Sequence, residues 1–233
     1  MQSRIKDAGI ELLIVFSIGG LIGALIAWAS HAYVSGVGFF TTLREQHSLF
    51  EVTLWGSQLE FTSLVFLWIA AFIVIVIRRI FGVVRWHGPA DSIYHAQQSK
   101  DPLDIKHGIA STLAAFTSAA GGGSVGQYGP LVHFGATLGI VVKRFVSSRL
   151  SHEIYLGCGV AAAISAGFGA PIAGIVFAHE AILRHFSVRA IAPISVASVT
   201  ASAVSQAFFN TSQTFVISNA PPDLVSLIPI LIV

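Results

Sequence analysis

The sequence predicts an all-α integral membrane protein whose helices are tilted and in places broken inside the bilayer. Two observations carry this. Of the 233 residues, 54% are hydrophobic and only 10% charged, whereas soluble domains are about one-quarter charged. Apolar runs near the roughly 20 residues that cross a bilayer alternate with similar runs that glycine clusters cut in two. The formal net charge of +2 comes with no basic stripe, which argues against nucleic acid as a partner. Cys158, the single cysteine, leaves no internal disulfide and no cysteine-based metal site.

Taken in order, the N-terminus MQSRIKDAG carries two cations before an apolar run too long for a signal peptide, and so predicts a retained first helix. Gly9 to Ser30 is apolar apart from Glu11, and its Gly19, Gly20 and Gly23 invite close approach of another helix. Residues 31–60, with Arg44, Glu45, Glu51 and Glu60, read as a loop plus helix ends. A second span runs from Phe61 to Ile77 and is closed by Arg78 and Arg79. The basic stretch from there to Lys106 shares the cytoplasmic side with the N-terminus if two helices separate them, and the acidic 44–60 region then faces outward.

Gly108 to Val142 lacks Asp, Glu, Lys and Arg, yet the glycines of 121–129 divide it into two pieces, each short for a span. Such half-helices meet near mid-membrane in transporters. Ile154 to Ala178, rich in small residues, is divided by the break from Gly167 to Pro171. Ala190 to Phe209 is a further span, SNAPPD a loop, and Leu224 to Val233 the start of another apolar segment. This predicts one unit over 1–223 and a truncated helix over 224–233, as in a fragment of a longer chain.

The break Gly121-Gly122-Gly123-Ser124-Val125-Gly126-Gln127-Tyr128-Gly129-Pro130 is the chemical centre. Glycines let successive N–H groups aim into one space. Pro130 suits the first turn of a helix, whose free N–H groups and positive dipole end would point back at the loop. Non-helical backbone survives in hydrocarbon only where it is buried or lines a cavity. The stretch therefore reads as an anion site on a pathway, with the N–H groups of Gly126, Gln127, Tyr128 and Gly129 as donors.

With VHFGATLG behind it, this stretch resembles the second signature of the CLC chloride channel and transporter family, G-[KR]-E-G-P followed by a V-[HQ]-I-[GA] helix. GCGVAAAISAGFGAPIAGIVFAHE is similar to the family segment G-A-A-A-G-x-A-A-x-F-x-A-P-[IL]-A-G-x-[LI]-F-x-x-E. The resemblance covers roughly 10–225 and implies the first of two inverted halves of a CLC-type bundle. It further implies chloride as the transported ion, no cofactor, a lipid bilayer as surroundings, a homodimer, a missing second half and a bacterial inner membrane.

Three departures bear on mechanism. Tyr128 stands where the family has its gating glutamate, and Gln127 where it has a basic residue. The second, proton-transferring glutamate aligns with Ala181, one residue after Glu180. The first signature, G-S-G-I-P, corresponds to Trp86-His87-Gly88-Pro89-Ala90, which puts His87 and Gly88 at the inner anion position. A phenol, ordinarily titrating near ~10, neither competes with chloride as an anion nor carries a proton at neutral pH. These residues therefore predict passive conduction gated by Tyr128, with Phe168 lining the pathway. Glu180 and His179 stand either as proton carriers or as structural groups, Glu180 pairing with Arg184 at helical spacing. His133 reads as a packing group that titrates near neutral pH if exposed.

Other readings stay open: an exchanger using other groups, or a non-conducting half that needs a partner chain. A membrane metalloenzyme built on His179, Glu180 and His185 fails on spacing, since six residues turn the second histidine to another helix face. A metal site is not expected.

Overall fold

The computed structural model describes residues 2–46, 51–54, 57–60, 62–97, 103–146 and 150–209. The SNAPPD loop and the segment 224–233, with the boundary at 223, lie outside these. The helices are α1 (Gln2–Gln46), α2 (Thr62–Phe81), α3 (Pro89–Gln97), α4 (Ile105–Ala120), α5 (Tyr128–Phe145), α6 (His152–Phe168), α7 (Pro171–Phe177) and α8 (Val188–Phe209), with one π-helical turn at Ala178–Leu183. Three helical stretches, Leu13–Gln46, Thr62–Phe81 and Val188–Phe209, are long and apolar enough to cross a bilayer.

Residues 31–60 correct the expectation of a loop. α1 runs unbroken to Gln46, a length of about 68 Å that exceeds the bilayer and requires tilt or protrusion. Its polar residues bond locally: Thr41 Oγ1 donates to the Val37 carbonyl and Thr42 Oγ1 to that of Gly38. Glu51–Leu54 (β1) and Ser57–Glu60 (β2) then form an antiparallel hairpin with Glu51 opposite Glu60. Among the described residues these are the only two strands in an otherwise helical fold.

α6 is the axis of the bundle. Every residue from Ile154 to Ser165 is buried, so the helix is apolar all round rather than along one stripe. Its small residues permit backbone contact with α5, where a Cβ placed on Gly135 would lie 2.5 Å from the Gly159 carbonyl oxygen. α1 approaches α8 in the same way: Cβ atoms on Gly19 and Gly23 would strike the carbonyls of Pro193 and Ala197, while Gly20 faces open space. α2 lies outside, with Trp68, Phe72 and Ile80 exposed, as suits a helix whose far side meets lipid.

Both anticipated breaks are present. α6 ends at Gly169, whose φ of +65° is the left-handed cap that glycine adopts without strain. Pro171 then opens α7. This break is stapled by α8: Ser198 Oγ donates to the Pro171 carbonyl at 2.8 Å, and Ser165 Oγ to the Ser198 carbonyl at 2.6 Å. Buried polar groups are thereby satisfied where the helix ladder stops.

Candidate functional site

The second break separates α4 from α5. Gly121, Gly122 and Gly123 close α4 by donating to the carbonyls of Thr117, Ala119 and Ser118. Val125 turns back to the Gly123 carbonyl at 2.8 Å. Beyond this point the N–H groups of Gly126, Gln127, Tyr128 and Gly129 meet no acceptor among the described residues, and Pro130 has none to offer. Gln127 is the N-cap of α5 but makes no side-chain capping bond. Four successive donors at a helix N-terminus, with the dipole behind them, present partial positive charge without a full charge.

Tyr128 closes one side. Its ring lies 4.3 Å from that of Phe168, centroid to centroid, with planes inclined at 30°. Gly167 is close beneath the Tyr128 ring, and Pro89 Cγ stands beside Gly129. Three sequence segments far apart in the chain thus converge: the turn at Pro89, the start of α5 and the end of α6.

The turn before α3 is arranged differently from expectation. The backbone N–H of His87 donates to Ser111 Oγ and that of Gly88 to Asp91 Oδ2, both at 2.8 Å. These two donors are engaged, so the backbone of this turn does not offer them to an anion as the sequence suggested. Nδ1 of His87 is buried with no partner, as is Nε2 of His133, whose Nδ1 lies 2.7 Å from Ser92 Oγ. The His87 ring stacks on His107 at 5.3 Å, with His133 at 6.3 Å and His95 at 6.5 Å. Burial lowers the His87 pKa from its ordinary value; Asp91 opposes this, and His107, Arg85 and His95 add to it. Asp91 is itself pushed up by burial, but the Gly88 N–H and the Arg85 ion pair outweigh this and hold its carboxyl low.

His179 and Glu180 lie on the π-helical turn. His179 is buried, stacked on Phe186 at 5.1 Å, whereas Glu180 is exposed. The Glu180–Arg184 pairing suggested by spacing does not form. The wider π turn and the left-handed Arg184, with φ of 57°, remove the helical geometry that an i,i+4 pair needs.

Two features were missed from sequence. Ser111 holds the His87 backbone from another helix, and no local pattern signals it. Arg44, at the end of α1, lays its guanidinium against Gly122, with Nη1 buried and without a hydrogen-bond partner.

A family model described as voltage gated chloride channel matches residues 69–233. The voltage-gated ClC-type chloride channel ClcB of Yersinia pseudotuberculosis is 22% identical over 193 residues, 81% of this chain and 46% of its own length. A CLC-type fluoride/proton antiporter superposes with a TM-score of 0.71 at 22% identity, covering 96% of this chain and 54% of that one. A slow cyanobacterial Cl−/H+ antiporter gives 0.71 at 18% identity, covering 94% and 52%. The chain spans about half the length of these relatives.

Proposed function

This chain belongs to the voltage-gated chloride channel family, and we propose that its helices form the first inverted half of an anion pathway across a membrane, conducting passively under the control of Tyr128. The carrying observation is the row of four unengaged N–H groups from Gly126 to Gly129, next to the Tyr128–Phe168 ring pair. Partial charges of this kind hold chloride without trapping it. Neither 128 nor 181 carries a carboxylate, so the groups that would tie anion movement to protons in the family are replaced by a phenol and a methyl. The second half of the pathway, the homodimer and the inner-membrane setting belong to the same proposal.

A second reading, coupled exchange through other groups, draws on the two antiporter folds and on the exposed carboxylate of Glu180. The test is chloride efflux from proteoliposomes holding the purified protein, with internal pH followed by a dye. With potassium and valinomycin compensating the charge, efflux that proceeds without proton movement supports the passive pathway. Proton movement in fixed ratio to chloride overturns it in favour of exchange.

A further inference from the structure

A cavity of about 710 Å³ opens at the other end of α5, where the last turn of that helix meets the first turns of α4 and α6. Its wall carries Lys106, Lys143, Arg144 and His152 over an apolar floor that includes Ile140. We propose that this cavity binds a phosphate-bearing anion, either the head group of an anionic phospholipid or a soluble phosphate.

Charge accounting supports a ligand here. Asp104 is the one carboxylate lining the cavity among the described residues, and both its oxygens are committed. Oδ1 accepts the Lys106 N–H at 2.9 Å, and Oδ2 bonds His107. Burial pushes the Asp104 carboxyl up, but these bonds outweigh it and hold it ionised as an N-cap. Lys143 has Glu153 within electrostatic reach. Lys106 and Arg144 form no ion pair among the described residues.

The second observation is independent of charge. Nε2 of His152 is buried and has no hydrogen-bond partner. The His152 side chain lines this cavity and a smaller one of about 270 Å³ that shares Lys143 and is also lined by Glu153. A buried ring nitrogen left unmatched costs free energy unless a ligand or water meets it. Ser151, the N-cap of α6, makes no side-chain capping bond and instead donates to Glu153 Oε1 at 3.1 Å, so that helix start is also uncapped.

Size and chemistry select the ligand class. The cavity is far larger than a chloride ion and uses full cations, which suit a multi-oxygen anion rather than a conducting site. It lies about 22 Å along α5 from Tyr128, and is a separate site from the anion pathway. Basic pockets between helices at the cytoplasmic interface are where anionic head groups bind, with the apolar floor available to their glycerol and acyl portions.

The test uses the purified protein in neutral detergent, with phosphatidylglycerol, phosphatidylcholine and inorganic phosphate as probes. Native mass spectrometry counts retained lipid, and thermal melting reports phosphate. The wild type is expected to retain phosphatidylglycerol over phosphatidylcholine, and the Lys143→Gln/Arg144→Gln protein to lose about tenfold in affinity. Lys106→Gln, exposed at the rim, is expected to lose about threefold and serves where the double variant folds poorly. Retention of phosphatidylglycerol without response to phosphate assigns the lipid head group; phosphate-dependent melting with the same variant pattern assigns the soluble anion. The proposal falls if neither probe binds, if the pocket variants bind like wild type, or if Arg78→Gln/Arg79→Gln on α2 loses as much.

Discussion

The ring of Tyr128 rests on that of Phe168 with centroids 4.3 Å apart, so the residue proposed to gate the pathway is held by the end of a different half-helix. An offset aromatic pair of this kind is worth about 0.5–1.5 kcal/mol beyond its area. On the proposed gating role, Tyr128→Ala is expected to raise chloride efflux several-fold by removing the ring next to the four free N–H groups. Phe168→Ala is expected to raise it less, by releasing the Tyr128 ring from its rest. The double variant should match Tyr128→Ala alone, since the two act through one contact. Additive increases in proteoliposome efflux would refute the shared gate.

The contact between α5 and α6, the helices that carry these two rings, is equally specific. Gly135 and Gly159 face each other so closely that a Cβ on either meets the other's backbone carbonyl. Backbone cannot yield as a flexible side chain does, so Gly159→Val is expected to destabilise by at least ~2 kcal/mol, read as a lowered melting temperature in detergent. Gly20→Ala, which meets open space, should fall within about 0.5 kcal/mol of wild type.

Much of this was legible from local signals. The broken helices follow from glycine and proline alone: Gly169 takes a left-handed cap and Pro171 restarts the chain. The sequence marked Tyr128 and Phe168 separately, but their ring contact comes from the packing of α5 on the end of α6 and was not anticipated. Other features depend on tertiary contacts. α1 continues past Ser30 because Tyr33 and Phe40 pack edge-on against Phe116 of α4, which composition does not reveal. The histidines 87, 95, 107 and 133 come from separate elements and carry no common spacing. Glu180 and Arg184 had the spacing of a pair, but a π turn undid it.

That histidine group gives a pH dependence with a definite sign. His87, on the segment between α2 and α3, is shifted below its ordinary 6.5 chiefly by burial. The groups around it are Asp91 and Arg85, His95 on α3, His107 on α4 with its partner Asp104, and His133 on α5. A histidine held neutral in the fold binds fewer protons than in the unfolded chain. Its contribution to stability is therefore complete above about 6.5 and is lost as pH falls from there through the lowered value. His87→Gln is expected to flatten the fall in melting temperature below about pH 6.5. A variant whose melting curve tracks wild type at every pH would show that the neighbouring rings, not His87, carry the dependence.

Arg44 supplies the remaining prediction. Its guanidinium lies against Gly122, at the start of the loop whose next residues present the free N–H groups, and its Nη1 is buried without a partner. The positive-inside expectation from the loop charges would place this at the outer end of the break, opposite the cations of the 78–106 stretch. A fixed positive charge beside an anion route raises the local anion concentration, an effect that salt screens with a Debye length of about 8 Å at ~0.15 M. Arg44→Gln is expected to reduce chloride efflux several-fold at ~0.01 M ionic strength and much less at ~0.15 M. The same variant should leave the melting temperature nearly unchanged, because no hydrogen bond from Nη1 is lost. A reduction that does not depend on salt would mean that Arg44 holds the shape of the loop rather than attracting the ion. Gly122→Ala separates these two roles. Gly122 has φ of +92° and its Cβ would strike the guanidinium, so this substitution shifts the loop while keeping the charge, and its effect on efflux should persist at high salt.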